Sequence, residues 1–232
     1  MVGGSDLGRQ NVFPKAFRAL HIPGRPIAST NVHDAATAPA VLGLPSVKAI
    51  VTASYAVATA ARFKDDDMAL ETNFAAIRIP KPLSADCQDG CGDRLEDDIK
   101  AIVDQGVVGI NLEDRDKESQ KIYPAEVAAE RIRRALATAK AIGVPDFMIN
   151  AHTDILVHGG ELSEAIERGK AYLAAGTNTV FVWVALHVVE LNVIMKLEEG
   201  NLILKDLQKI GVAGISLALD SPFLFRTSGF PP

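Results

Sequence analysis

Two carboxylate side chains close apolar segments in the middle of the chain. Asp86 follows Pro82–Ala85, and Glu113 follows Val107–Leu112. Short apolar segments of this kind are typical of buried strands, and the carboxyl ends of parallel strands meet at one mouth of a barrel. Carboxylates that converge there repel one another, and a hard divalent cation with oxygen ligands is the usual remedy. The pair therefore predicts a Mg²⁺ site, with Mn²⁺ as the alternative metal.

Other polar residues close further candidate strands, and several have two interpretations. Asp34, Asp89 and Asp114 can equally cap the helices or turns that follow, because aspartate is favoured at such positions. His152 can bind an anion when protonated, act as an acid or base, or pack as a neutral ring at a strand end. The whole set comprises Asn31, Asp34, Thr52, Ser54, Asp86, Gln88, Asp89, Asn111, Glu113, Asp114, Asn150, His152, Asp154, Asn192 and Ser216.

The elements that must position these residues alternate between short apolar segments and helical patterns, which indicates a parallel sheet. About eight candidate strands can be counted, the number in a (β/α)8 TIM barrel. They are Ile27–Asn31, Ala49–Ser54, Pro82–Asp86, Val107–Glu113, Phe147–Asn150, Thr179–Trp183, Leu191–Met195 and Val212–Ser216. The fold class predicted is therefore α/β, with shortened crossovers before strand 3 and between strands 6 and 7.

Helix boundaries can be predicted from capping residues and glycines. Asp93, Pro124 and Ser163 are expected to open helices, because each residue type is favoured at a helix start. Glycines that follow helical patterns favour left-handed C-caps, which turn the chain back towards the next strand. The predicted helices are Arg94–Asp104, Ala125–Ile142 and Glu164–Ala175, and the glycines are Gly106, Gly143, Gly176 and Gly211.

Length and composition limit the remaining possibilities. A chain of 232 residues fits a single barrel domain, for which about 200 to 250 residues are typical. Residues 1–16 are expected to form an N-terminal arm and residues 221–232 an irregular tail. A net charge of −5 without a basic cluster argues against nucleic acid as a partner. No apolar run approaches a membrane span, so we expect a cytoplasmic protein with a small-molecule partner.

Six motifs, in order along the chain, resemble those of the isocitrate lyase and phosphoenolpyruvate mutase superfamily. The likeness runs from about Phe17 to Ser216. The motifs are Asn31-Val32-His33-Asp34-Ala35-Ala36, Thr52-Ala53-Ser54, Ser84-Ala85-Asp86-Cys87-Gln88-Asp89-Gly90, Gly109-Ile110-Asn111-Leu112-Glu113-Asp114, Ile149-Asn150-Ala151-His152-Thr153-Asp154 and Gly211-Val212-Ala213. The resemblance implies a Mg²⁺-dependent barrel enzyme that makes or breaks a C–C or P–C bond beside a 2-oxo acid, through an enolate.

The same resemblance implies roles for individual residues. Metal-site residues would be Asp86, Glu113, Asp65 and Gln88, although Asp65 can equally belong to a solvated turn before a helix. Catalytic residues would be His152, Asn111 and Tyr55. Substrate-binding residues would be Ser54, Tyr55, Asn150, His152 and Asn192, with backbone amides near Ser54 and Tyr55 taking substrate oxygens. A homo-oligomer, either a dimer or a tetramer, is also implied.

Two departures from the family pattern narrow the expected function. The loop Arg115–Lys121 lacks the Lys-Cys-Gly-His sequence of the true lyases and the asparagine of the mutases, and His152 replaces an arginine. An imidazole cannot make the bidentate, permanently charged contact of a guanidinium. We therefore expect a Mg²⁺-dependent lyase that cleaves or decarboxylates a small 2-oxo or 2-hydroxy dicarboxylate. The alternative is a catalytically impaired member that serves as a binding or oligomer-forming protein.

Overall fold

The protein has a parallel α/β fold, seen in a computed structural model that describes residues 11–25, 27–34, 37–69, 72, 83–90, 92–182, 191–195 and 214–217. For residues 191–195 and 214–217 the structure describes the backbone only. The strands are β1 (Ile27–Val32), β2 (Ile50–Thr52), β3 (Leu83–Asp86), β4 (Gly109–Glu113), β5 (Met148–Thr153), β6 (Thr179–Val182), β7 (Leu191–Met195) and β8 (Gly214–Leu217).

Each strand pairs in parallel with the next one along the chain, and β8 also pairs with β1, so the order of pairing closes on itself. The parallel sheet expected from the sequence is thus confirmed. The register aligns Asp86 with Asn111, Asn111 with Asn150, and Glu113 with His152. Parallel pairing brings the carboxyl ends of β3, β4 and β5 side by side, and this arrangement positions the candidate site.

Six α-helices are described: α1 (Val12–Leu20), α2 (Ala38–Leu42), α3 (Ser54–Ala60), α4 (Leu95–Asp104), α5 (Ala125–Ala141) and α6 (Leu162–Ala174). The predicted helices match α4, α5 and α6, and Pro124 is the N-cap of α5 as expected. Ser163 is not the cap of α6, because that helix already begins at Leu162, after Glu161. Helix α1 covers part of the predicted N-terminal arm and was not expected.

Three of the four predicted glycine caps lie within the described residues and adopt the left-handed conformation. Gly106, Gly143 and Gly176 have φ angles of 84°, 90° and 102°, a region that glycine enters without a Cβ clash. Gly211 lies outside the described residues. The two short crossovers expected before β3 and between β6 and β7 fall on residues 73–82 and 183–190, which also lie outside.

The core lies between the strands and the helices α4, α5 and α6. Ile99 and Ile102 of α4, Ile132 of α5 and Tyr172 of α6 are almost fully buried against Ile110 and Ile149 of the sheet. Tight packing also brings β4 against β5: a Cβ at Gly109 would lie 2.9 Å from the carbonyl oxygen of Met148. The starts of β4 and β5 therefore pack closely against each other.

Strand β5 continues three residues beyond its predicted end at Asn150. The prediction stopped there because an amide side chain is typical of a strand end. In the structure the amide of Asn150 is satisfied by neighbouring strands, so the strand runs on through His152 to Thr153. Among the described residues, no helix is long and apolar enough to cross a membrane.

Candidate functional site

Asp86 and Glu113 occupy the last positions of the neighbouring strands β3 and β4, as expected. Asp86 is anchored on three sides. Its backbone N–H donates to Thr52 Oγ1 at 3.0 Å, and its carboxylate accepts the backbone N–H groups of Ser54 at 2.9 Å and Gln88 at 3.4 Å. Some of its surface still reaches solvent.

Burial and the charge of a neighbouring carboxylate both act on Asp86. Burial among protein atoms, followed by the neighbouring carboxylate of Glu113, raises the pKa of Asp86 to about 6, although the Ser54 amide and His152 oppose the shift. A carboxylate whose ionised form is disfavoured in this way is stabilised by any added positive charge. This is the environment expected for a cation-binding acid.

Asp65 joins the same cluster from the 3₁₀ turn Asp65–Asp67, which follows α3. Ser54 Oγ donates to Asp65 Oδ2 at 3.2 Å, and Gln88 Nε2 donates to Asp65 Oδ1 at 3.1 Å and to its carbonyl oxygen at 2.9 Å. Gln88 adopts a left-handed φ of 50°, which aims its side chain at the turn. Burial raises the pKa of Asp65, and Asp86 adds to the rise. All four residues predicted for the metal site therefore lie in one cluster.

His152 lies between two carboxylates. Its Nδ1 is 3.5 Å from Glu113 Oε1 and its Nε2 is 3.1 Å from Asp154 Oδ1, while Phe181 packs edge-on with a centroid distance of 4.4 Å. Burial lowers the pKa of His152, but Glu113, Asp154 and Asp86 outweigh this effect and raise it to about 9. The two flanking carboxylates therefore favour the protonated imidazole, the form that can bind an anion, over the neutral packed ring.

An amide chain links β4, β5 and β6 deeper in the barrel. Thr179 Oγ1 donates to Asn150 Oδ1 at 2.7 Å, and Asn150 Nδ2 donates to Asn111 Oδ1 at 2.9 Å. The hydroxyl fixes the orientation of the first amide, which in turn fixes the second. Asn111 is left with its Nδ2 as the donor that can serve other contacts.

Asp114 lies in a buried network that joins β4, β5 and α6. Its carboxylate is 2% exposed and accepts hydrogen bonds from Thr153, Tyr172 and the backbone of Asp154. Arg168 lies 3.3 Å from the same carboxylate. Arg168 and Tyr172 were missed in the sequence, where they are unremarkable residues of a helical pattern. Their network ties the ends of β4 and β5 to α6.

The loop after β4 packs against the turn that carries Asp65. Arg115 and Ile122 form a β-bridge at its base, and Asp116 Oδ1 accepts the N–H groups of Glu118 and Ser119. Two basic side chains then cross to the turn: Arg115 Nη1 lies 3.3 Å from Asp66 Oδ1, and Lys117 Nζ donates to the carbonyl oxygen of Met68 at 2.5 Å. Arg115 is a third residue to which the sequence analysis assigned no role.

The remaining predicted residues are less clearly gathered. Tyr55 is 61% exposed at the start of α3, and the side chain of Asn192 lies outside the described residues. The neighbouring Ser54 amide, expected to meet substrate, donates to Asp86 instead. Asp34 accepts the backbone N–H of Thr37 at 2.7 Å, so it caps a turn. Asp89 accepts hydrogen bonds from the backbone of Lys117 and from Tyr123.

The donor set at the mouth suits a cation that keeps much of its own water. Within the described residues, no group of three or more His, Cys, Asp or Glu side chains is arranged to hold a metal ion. Mg²⁺ is usually bound through one or two carboxylates and several waters, so such a group is not required. Asp86 and Glu113, with Asp65 behind them, supply carboxylate oxygens of the type that this ion prefers.

Comparison with known proteins identifies the family. The sequence matches the profile described as phosphoenolpyruvate phosphomutase over residues 17–227. The chain belongs to this family. The resemblance to the isocitrate lyase and phosphoenolpyruvate mutase superfamily is thereby confirmed.

Relatives within this superfamily include lyases. The 2-methylisocitrate lyase of Escherichia coli (strain K12) is 33% identical over 110 residues, 43% of this chain and 36% of that protein. The 2,3-dimethylmalate lyase of Eubacterium barkeri is 27% identical over 179 residues, 72% of this chain and 61% of that protein. The match thus spans less than two thirds of each curated relative. A provisionally assigned phosphonomutase from Burkholderia cenocepacia J2315 has a solved structure that superposes with a TM-score of 0.78 at 30% identity, covering 94% of this chain and 96% of that chain.

Proposed function

We propose that this protein is a divalent-metal-dependent lyase that cleaves a C–C bond of a small 2-oxo or 2-hydroxy dicarboxylate, or decarboxylates it, through an enolate. The observation that carries the proposal is the convergence of Asp86 and Glu113 on neighbouring strand ends, where burial, followed by the charge of Glu113, raises the pKa of Asp86 to about 6. The relatives named for 2-methylisocitrate and 2,3-dimethylmalate support a carboxylate substrate of this class.

The metal would be Mg²⁺, with Mn²⁺ as the alternative, held by Asp86 and Glu113 with Asp65 and Gln88 in support. When bound, the ion would supply positive charge beside the oxygen on which negative charge develops. The chain's own residues would do the rest. Ser54 and Gln88 hold the Asp86 carboxylate in place through their backbone N–H groups.

His152 would help to attract the anionic substrate, since Glu113 and Asp154 favour its protonated form. Asn111 would present its Nδ2 as a donor to a substrate oxygen, because its Oδ1 already accepts from Asn150. Preorganised donors of this kind stabilise developing negative charge without reorganising. Roles for Tyr55 and Asn192 in substrate binding stay predictions.

We also propose that the chain forms one domain with a complete (β/α)8 barrel. The closed order of strand pairing and the helices after β1 to β5 support this reading. Homo-oligomer formation and a cytoplasmic location stay predictions from the sequence.

A second candidate function is that of a non-catalytic binding or oligomer-forming protein. One observation favours it: His152 already supplies positive charge to Glu113 and Asp154, the neighbourhood in which a metal ion would be needed. If this internal cation is sufficient, the acid cluster has no need of a divalent ion.

One assay separates the two functions. Pyruvate release from oxaloacetate, and cleavage of 2,3-dimethylmalate and 2-methylisocitrate, are measured over a Mg²⁺ titration. We expect Mg²⁺-dependent turnover that falls roughly 100-fold or more in Asp86→Asn, because the variant removes a charge from the reacting centre. Asp97→Asn changes an exposed carboxylate of α4 and should leave the rate unchanged. No turnover by the natural protein, with no Mg²⁺ binding by calorimetry, would establish the non-catalytic function instead.

A further inference from the structure

Arg115 reaches across the rim of the barrel mouth. It stands two residues beyond Glu113, at the start of the loop that follows β4. Its Nη1 is 3.3 Å from Asp66 Oδ1, on the turn that follows α3. On the other side, burial raises the pKa of Asp154 after β5, and the charges of His152, His158 and Arg115 oppose that rise. The guanidinium therefore joins the loop after β4 to the turn that carries Asp65.

The Nε donor of this guanidinium is buried without an acceptor among the described residues. Arg115 Nε has no solvent contact and no hydrogen-bond partner among the residues that the structure describes. Asp66 engages Nη1, which is not on that edge. An arginine carries five N–H donors in a rigid fork, and its Nε and Nη2 together form the edge that matches a carboxylate.

The same chain shows this edge in use elsewhere. Arg134 binds the carboxylate of Glu96 side-on, with Nε to Oε1 at 2.6 Å and Nη2 to Oε2 at 2.8 Å. Arg115 presents the equivalent pair of donors at the mouth. A small dicarboxylate is the kind of ligand whose oxygens would satisfy them.

The charges around the mouth explain why such a group is needed there. Asp86, Glu113, Asp154 and Asp65 would repel an anionic substrate. Of the cations near them, His152 is held between Glu113 and Asp154, and Lys117 donates to Met68. Arg115 combines a permanent positive charge with a buried Nε donor that has no acceptor among the described residues.

We propose that Arg115 binds a carboxylate of the anionic substrate through Nε and Nη2, the donors that its ion pair with Asp66 through Nη1 does not use. The proposal rests on the proposed function for the identity of the ligand class. It concerns binding, so it can be tested without turnover.

Oxalate is a suitable probe because it is the smallest dicarboxylate and does not depend on the chemical step. Its affinity is measured by isothermal titration calorimetry with and without Mg²⁺, for the full chain and three variants. Arg115→Met removes the charge but keeps the length of the side chain, and Arg115→Lys keeps the charge but removes the edge. Arg133→Met is the matched control, since Arg133 pairs with Glu126 and Glu130 on the exposed face of α5.

We expect Arg115→Met to weaken oxalate binding roughly tenfold or more, as loss of a charge-assisted bidentate pair predicts. Arg115→Lys should fall between this variant and the natural protein, and Arg133→Met should bind normally. Circular dichroism spectra and melting temperatures establish that each variant is folded. If Arg115→Met does not fold, Arg115→Lys carries the test.

Asp66→Asn distinguishes binding from a structural latch. If Arg115 binds the ligand, this variant should keep its affinity for oxalate or gain slightly, because the guanidinium is released from a competing carboxylate. If Arg115 only holds the turn against the loop, Asp66→Asn should lose as much affinity as Arg115→Met, and the proposal is overturned. Natural affinity in both Arg115 variants, or no oxalate binding by the natural protein, also overturns it. Binding that depends on Arg115 without turnover of any acid would refute the lyase function alone.

Discussion

Replacement of Asp114 by asparagine tests the network that fixes the end of β5. Asp114 Oδ2 accepts from Thr153 Oγ1 at 2.6 Å and from Tyr172 at 2.7 Å, and it lies 3.3 Å from Arg168 Nη1. Oδ1 accepts the backbone N–H of Asp154 at 3.0 Å. Asparagine has the same shape, but one of these acceptor oxygens becomes an NH₂ group that faces a donor.

The expected loss of stability is large because Arg168 is buried with its partner. The side chain of Arg168 is 7% exposed and that of Asp114 is 2% exposed. Breaking a buried ion pair from one side costs about 3–5 kcal/mol, since the other charge is left without compensation. The remaining bond of Arg168 to Glu164, which is 47% exposed, recovers part of this, so we expect a loss of about 3 kcal/mol.

Urea denaturation at neutral pH measures this loss as a lower midpoint at unchanged slope. Asp97→Asn, at a site whose carboxylate is 77% exposed, is the matched control and should stay within about 0.5 kcal/mol of the natural protein. The double variant with Arg168→Met should lose less than the sum of the single variants, because the orphaned charge is gone. An Asp114→Asn variant within about 1 kcal/mol of the natural protein would refute the reasoning, as it would mean that the carboxylate charge is not needed.

Two further predictions concern the pH dependence of stability and the packing of β4 against β5. In the folded, metal-free protein the neighbouring carboxylates outweigh burial and raise the pKa of His152 to about 9 from its usual 6.5. Its protonation therefore adds about 3 kcal/mol to the unfolding free energy below pH 6.5, and this is lost as pH rises through 9. The unfolding free energy of His152→Gln should therefore fall less between pH 6.5 and 9 than that of the natural protein. An equal fall would contradict the raised pKa of His152. Gly109→Ala should lose about 1–3 kcal/mol, because its Cβ would meet Met148 O at 2.9 Å. Gly169→Ala, whose Cβ would lie 3.6 Å from Val180, should gain up to about 1 kcal/mol in thermal melts, and a loss as large as that at position 109 would count against the packing argument.

Much of the fold follows from local sequence patterns. Strand β6 begins at Thr179 and helix α5 begins at Ala125, both as predicted, because β-branched runs, a proline at the helix start and a following glycine act over a few residues. The predicted end of β5 was wrong because, in the sequence, a polar residue that points into a barrel cannot be distinguished from one that ends a strand. Asn150 is satisfied by Asn111 and Thr179, which lie 39 and 29 residues away in sequence. Such partners cannot be assigned from local periodicity.

The site divides in the same way. Asp86 and Glu113 could be found because their position depends only on where two strands end. The roles of Arg115 and Arg168 could not be predicted, because their partners are distant in sequence. Arg115 contacts Asp66, 49 residues away, and Arg168 contacts Asp114, 54 residues away. An arginine in a polar loop or on a helix carries no local sign of such a partner.

Histidine stands at position 152, where the family resemblance implies an arginine, and this changes how the positive charge at the position is maintained. A guanidinium remains charged whatever its neighbours, whereas the charge of His152 exists because Glu113 and Asp154 flank it. A divalent ion beside Asp86 and Glu113 would weaken that support, since it would compete for the carboxylate of Glu113. The positive charge that binds the second carboxylate of a dicarboxylate would then have to come from a residue whose charge does not depend on Glu113. Arg115 meets this condition, because its charge is permanent and its ion pair is with Asp66.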